Sequence, residues 1–144
     1  MVLLGDSGGG LFATSLLAKL NKAVGVKAMV LINPAADLRN PGKGLYGLVT
    51  NWYLNNKNPN DSLVSPLLAT DFSSYPPTLI VTSENDELKS QGDSLYEKIK
   101  MTNKKNQLFD VPKEGHLGGK WSAAHPDAQP AIDKTVAFIL EVAK

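Results

Sequence analysis

Met1-Val2-Leu3-Leu4-Gly5-Asp6-Ser7-Gly8-Gly9-Gly10-Leu11-Phe12 decides how the rest of the chain is read. Three apolar residues run into a Gly-x-Ser-x-Gly sequence, and apolar residues at helical spacing follow directly. Strand, sharp turn carrying a serine, then helix is the arrangement that lifts a nucleophilic hydroxyl above a sheet. Gly5 and Gly9 are expected where strand and helix approach too closely for a Cβ. The N–H of Gly8 falls at a helix N-terminus, where negative charge is favoured. Ser7 is therefore a candidate nucleophile and Gly8 a candidate oxyanion donor.

Beyond this turn, Phe12, Leu16, Leu20 and Ala23 recur at helical spacing, with Lys19 and Lys22 late in the run and Gly25 as a stop. Ala28 to Ile32 is a continuous apolar run, as a strand buried on both faces requires, and Asn33-Pro34 ends it. Residues from about 37 to 75 are dense in glycine, asparagine and proline and read as an excursion from the sheet. Within them Leu45, Leu48, Val49, Trp52 and Tyr53 predict a short amphipathic helix. Its aromatic stripe is expected to pack against the body, although such a helix could also roof a pocket. Thr78 to Thr82 is a β-branched strand and Ser83 to Glu87 a polar loop. Leu88, Gly92, Leu95, Tyr96 and Ile99 form a helical face. Asn106 to Val111 is a fourth strand, followed by a loop from Pro112 to Trp121. A last helix starts near Pro130, with Ile132, Val136, Ile139, Leu140 and Ala143 on one side. Strands alternating with helices predict an α/β fold, an open parallel sheet of about four strands with flanking helices and right-handed crossovers.

Composition narrows the function classes. At 144 residues the chain reads as one domain, long enough to bury roughly 68–70% of its unfolded surface. A net charge of +1 gives no electrostatic argument for nucleic acid or an anionic membrane. With no cysteine there are no disulfides, thiolate metal sites or cysteine nucleophiles. No apolar run reaches the ~18–20 residues of a membrane span, and the N-terminus lacks a signal-peptide pattern. A cytoplasmic location is expected, with no metal and no cofactor.

In open α/β sheets, sites gather outside the carboxyl ends of the strands. Ser7 follows the first strand, Asp37 the second, Asp86 the third and His116 the fourth. A serine hydroxyl needs a base to take its proton, and imidazole titrates near neutrality. An aspartate fixes the imidazole tautomer and stabilises the imidazolium. His116 lies in Glu114-Gly115-His116-Leu117-Gly118-Gly119 directly after a strand, which favours it over His125 in Ala124-His125-Pro126. Asp86 competes with Glu84, which is expected to support the loop by hydrogen bonds. Asp37 reads as a cap or loop anchor. Gly-Asp-Ser-Gly-Gly also occurs in trypsin-like proteases, but there the histidine and aspartate precede the serine. A phosphate-binding loop would need a lysine after its glycines, and none follows.

Several separated motifs resemble the hormone-sensitive-lipase-like esterases of the α/β-hydrolase fold. They are Gly5-Asp6-Ser7-Gly8-Gly9-Gly10, Val64-Ser65-Pro66-Leu67-Leu68, Tyr75-Pro76-Pro77-Thr78-Leu79-Ile80-Val81, Asp86-Glu87-Leu88 with Gly92 and Tyr96, and Val111-Pro112 leading to His116. The resemblance implies Ser7, Asp86 and His116 as nucleophile, acid and base. The implied reaction is hydrolysis of a small-molecule carboxylic ester through an acyl-enzyme. The chain departs from the family pattern at Gly8, where alanine is usual, at Glu87, where proline is usual, and at Leu117-Gly118, where Gly-Phe is common. The family also places four strands and a His-Gly-Gly-Gly type loop before the serine turn, and Gly118-Gly119 lies on the wrong side of Ser7 to replace that loop. The resemblance is therefore to the C-terminal half of the fold. Loss of one oxyanion donor costs on the order of 10²–10³ in turnover, so weak or no reactivity of Ser7 is expected in these residues alone. The first strand would be an exposed edge, open to a homodimer or to a complementing N-terminal half. The alternative reading is a catalytically incomplete or relict domain that acts only as an interaction half.

Overall fold

The computed structural model describes residues 1–20, 25–118, 120 and 124–142. Lys22, Ala23, Gly119, Trp121 and Ala143, named above, lie outside the described residues. The elements run β1 (Val2–Asp6), α1 (Gly8–Leu20), β2 (Ala28–Ile32), α2 (Gly44–Leu54), β3 (Thr78–Ser83), α3 (Lys89–Ile99), β4 (Gln107–Val111) and α4 (Gln129–Val142). Single 3₁₀ turns at Pro66–Leu68 and Pro126–Ala128 interrupt the longer connections. All four strands are parallel, in the spatial order β1-β2-β3-β4.

The two central strands are buried along their whole length; the unbroken apolar run of β2 requires this, and in β3 the buried hydroxyls of Thr78, Thr82 and Ser83 are hydrogen-bonded. Their side chains alternate between two cores. Met29, Leu31 and Ile80 pack with Leu17 of α1 and with Leu95 and Ile99 of α3. Val30, Ile32, Leu79 and Val81 pack on the other face with Ala131 and Phe138 of α4. Among the described residues β1 pairs only with β2, so it is an edge, and Leu4 on it is about half exposed.

Helix α1 buries a different face from the expected one, and α2 and α4 pack only part of theirs, Tyr53 in the first and Ile132 and Ile139 in the second. In α1, Phe12, Leu16 and Leu20 are exposed, and Leu11, Ala13, Thr14 and Leu17 face the core. The helix is apolar on more than one side, and buried Thr14 Oγ1 satisfies itself on the carbonyls of Gly10 and Leu11. In α4 the buried residues are Ala131, Thr135 and Phe138, with Val136 and Leu140 exposed. Small Ala131 lets the helix sit close to the sheet. In α2 only Gly47 and Thr50 are buried; of the aromatic stripe Tyr53 packs against the body, edge-on to Phe12, whereas Trp52 is 68% exposed. Gly47 closes against the backbone of Gly42, where a Cβ would stand 2.7 Å from the carbonyl oxygen.

Candidate functional site

Parallel strands carry their C-terminal ends to one edge, and the polar residues singled out above meet there. Ser7 sits at φ +56°, a left-handed conformation that costs a serine energy and persists only where neighbours hold it. Its N–H donates to the Ile32 carbonyl at 2.9 Å, and its carbonyl accepts from Gly10 N–H (3.0 Å) and Ala35 N–H (3.1 Å). These bonds fix the turn to both β2 and α1. A Cβ on Gly5 would stand 2.4 Å from the Gly9 carbonyl oxygen, so the strand can pass under the helix only as glycine. Gly9 itself is not constrained in this way, because a Cβ there meets nothing within 4 Å. The second close approach is at Gly10, whose Cβ would lie 2.7 Å from Pro34 Cβ. Gly8 opens α1, so its N–H has no acceptor within the helix.

Asp86 follows β3, and its side chain is almost wholly buried. Leu88 N–H donates to its Oδ1 at 3.2 Å, which fixes the carboxylate. His116 Nδ1 lies 3.1 Å from both Asp86 oxygens. That contact sets Nδ1 as the donor and leaves Nε2 free to act as a base on its other side. The Asp86 hydrogen bond raises the His116 pKa above its ordinary value. Burial opposes the rise, and the charges of Asp86, Asp6 and Glu87 add to it.

Ser7 and His116 line one cleft of about 280 Å³ together with Tyr46, Val49, Glu87 and Leu88. No hydrogen bond joins Ser7 Oγ to His116 among the described residues; the two share the lining of this cleft. A second cavity of about 190 Å³ opens on the other side of Ser7, lined by apolar groups including Leu11, Phe12, Leu38 and Tyr53. Tyr46 and Val49 of α2 border both. The exposed helix is therefore a roof to the site.

The competing residues take structural places. Glu84 Oε2 accepts the Lys113 N–H at 2.7 Å, the loop support expected of it. Asp37 is paired with Arg39 at 2.6 Å, and the guanidinium holds its carboxyl below the usual carboxylate range. His125 is exposed at the start of the second 3₁₀ turn.

Asn33 was legible only as the end of a strand. It is fully buried at φ +41°. Its Oδ1 accepts the Leu117 N–H at 3.1 Å and its Nδ2 donates to Ser83 Oγ at 3.1 Å, tying the histidine loop to the ends of β2 and β3. An asparagine, tolerant of positive φ, immediately before proline and past a buried strand, is the signal that marks it. Gly118 also went unassigned; it lies against the His116 ring.

A family model described as the alpha/beta hydrolase fold matches residues 1–118. No curated protein matches the chain. Among solved structures, carboxyl esterase 2 from the mycorrhizal fungus Tuber melanosporum is 24% identical with a TM-score of 0.76, covering 99% of this chain and 54% of that one. An esterase/lipase from an uncultured bacterium is 24% identical with a TM-score of 0.81, covering 97% and 52%. A mutant of another esterase is 23% identical with a TM-score of 0.85, covering 99% and 53%. The chain thus spans about half the length of the structures it resembles.

Proposed function

The chain belongs to the α/β-hydrolase-fold family, and from that membership we propose that it hydrolyses carboxylic esters with Ser7 as nucleophile, His116 as base and Asp86 as the acid that orients it. The observation that carries this reading is the Asp86–His116 contact. With Nδ1 held on both carboxylate oxygens at 3.1 Å, Nε2 is left as the basic nitrogen, and His116 lines the same cleft as Ser7.

In the proposed reaction His116 Nε2 takes the Ser7 Oγ proton as the oxygen attacks the ester carbonyl carbon. The Gly8 N–H at the start of α1 donates to the oxyanion that forms. The bond to the alcohol oxygen then breaks, and His116 returns the proton to that oxygen. Water, deprotonated by the same imidazole, releases the acid from Ser7. Because the proton must reach the departing oxygen, the alcohol belongs on the His116 side. The apolar cavity beyond Ser7 then suits the acyl chain. On this reading residues 1–144 work as one domain, with the excursion at about 37–75 roofing the site. No described helix is long and apolar enough to cross a membrane, and a cysteine-free chain suits a cytoplasmic setting.

A second reading, an interaction half, draws on the free edge of β1 and on half-exposed Leu4. A strand from a second copy, or from a complementing N-terminal half, would pair there. Turnover of short p-nitrophenyl esters separates the two. Hydrolysis lost on Ser7→Ala supports the enzyme; hydrolysis unchanged by that substitution removes Ser7 from the chemistry.

A further inference from the structure

The cleft between Ser7 and His116 has a wall that the hydrolytic reading does not use. Glu87 lines it, exposed, and among the described residues no lysine or arginine pairs with its carboxylate. Tyr46 lines the same cleft. The two converge on Gly42: a Cβ there would stand 2.9 Å from Tyr46 Cδ1 and 3.7 Å from Glu87 Oε2. Gly42 adopts φ +71°, so glycine is favoured there by backbone as well as by space. Gln91 Nε2 approaches the Tyr46 hydroxyl at 3.4 Å, and Gln91 Oε1 accepts the N–H groups of Ala36 and Asp37 at 2.8 Å, which links the tyrosine to the loop after β2.

An aromatic ring beside a carboxylate with no lysine or arginine partner among the described residues, in a cleft also bordered by Leu45, Val49 and Leu88, has a specific chemistry. The ring attracts a cation through its quadrupole, and the carboxylate adds full charge. Apolar walls favour a cation clothed in alkyl groups over a hydrated metal ion. We propose that Tyr46 and Glu87 form a binding subsite for an alkylammonium group on the His116 side of Ser7. The role of this subsite in a reaction rests on the ester-hydrolase reading: it would hold a cationic alcohol portion of the substrate and disfavour an anionic one.

The test compares choline with its uncharged isostere 3,3-dimethylbutanol, each titrated into the chain at low salt and followed by the ring resonances of His116 and Tyr46. Choline is expected to bind about tenfold more tightly. Glu87→Gln should remove most of that advantage while leaving 3,3-dimethylbutanol binding unchanged, and Tyr46→Leu should weaken choline binding. Glu84→Gln, in the same loop but committed to Lys113, should leave the preference intact. Equal binding of the two probes, no binding of either, a preference that survives Glu87→Gln, or an equal loss with Glu84→Gln would overturn the subsite. Absence of ester turnover with the choline preference intact would remove the hydrolase reading and leave the subsite standing.

Discussion

Gly118 lies against the imidazole of His116: a Cβ at Gly118 would stand 3.0 Å from Nε2 and 2.9 Å from Cδ2. The nitrogen proposed to work on Ser7 can occupy its position only because no side chain is there. Gly118→Ala should therefore leave the fold intact and turn the ring away from the cleft. Misplacement by about 1 Å can cost on the order of 10² in rate. The expected result is a loss of that size in ester turnover with an unchanged melting temperature; full activity would show that the ring has room to spare.

The pH dependence follows from the raised His116 pKa, caused first by its hydrogen bond to Asp86. A base must be neutral, so turnover should rise with pH along a limb centred above the ordinary imidazole value of 6.5. Asp86→Asn should lower that midpoint and reduce the plateau, because the amide no longer holds the required tautomer. Stability runs the other way. A histidine whose folded pKa is raised contributes stability in full below its unfolded pKa, and that contribution is lost as pH rises through the folded one. Titration of the His116 ring signals in both proteins checks the shift; an identical midpoint in Asp86→Asn would contradict it.

The glycines of the serine turn should divide by contact rather than by motif. Gly5→Ala and Gly10→Ala drive a methyl into the Gly9 carbonyl and into Pro34, at 2.4 Å and 2.7 Å. Each should destabilise by about 1–3 kcal/mol or more. Gly9→Ala meets open space inside α1 and should be neutral or stabilising by up to about 1 kcal/mol. Chemical denaturation of the three variants gives the order directly.

Asn33→Ala leaves the buried Leu117 N–H and the Ser83 hydroxyl without their asparagine partner. An unsatisfied buried donor costs about 1–3 kcal/mol, and here the loss also frees the histidine loop. A drop in stability of that size, together with reduced turnover and a shifted His116 resonance, is expected. Reduced stability with His116 unmoved would confine Asn33 to a packing role.

Much of this is legible in the sequence. Ala28 to Ile32 reads as a buried strand because a strand covered on both faces shows an unbroken apolar run, and Thr78 to Thr82 reads as a strand from its β-branched residues. The placement of Ser7, Asp86 and His116 at one edge followed from parallel topology alone. Helix faces were harder. Phe12, Leu16 and Leu20 recur every four residues and Leu11, Thr14 and Leu17 every three; both are helical spacings, and the sheet chose the second set. Gly9 fits the motif, but the close approach falls at Gly10, where Pro34 from another segment arrives. Asn33 joins groups 50 and 84 residues away, a relationship that no local pattern carries.

The central claim is that Ser7 is a nucleophile activated by His116. Exposure to a fluorophosphonate, followed by mapping of the modified peptide, tests it most directly, since only an activated serine is phosphonylated at a useful rate. The account predicts slow modification confined to Ser7, abolished by Ser7→Ala and slowed at least about tenfold by His116→Ala. No adduct, an adduct that survives Ser7→Ala, or a rate indifferent to His116 would contradict it.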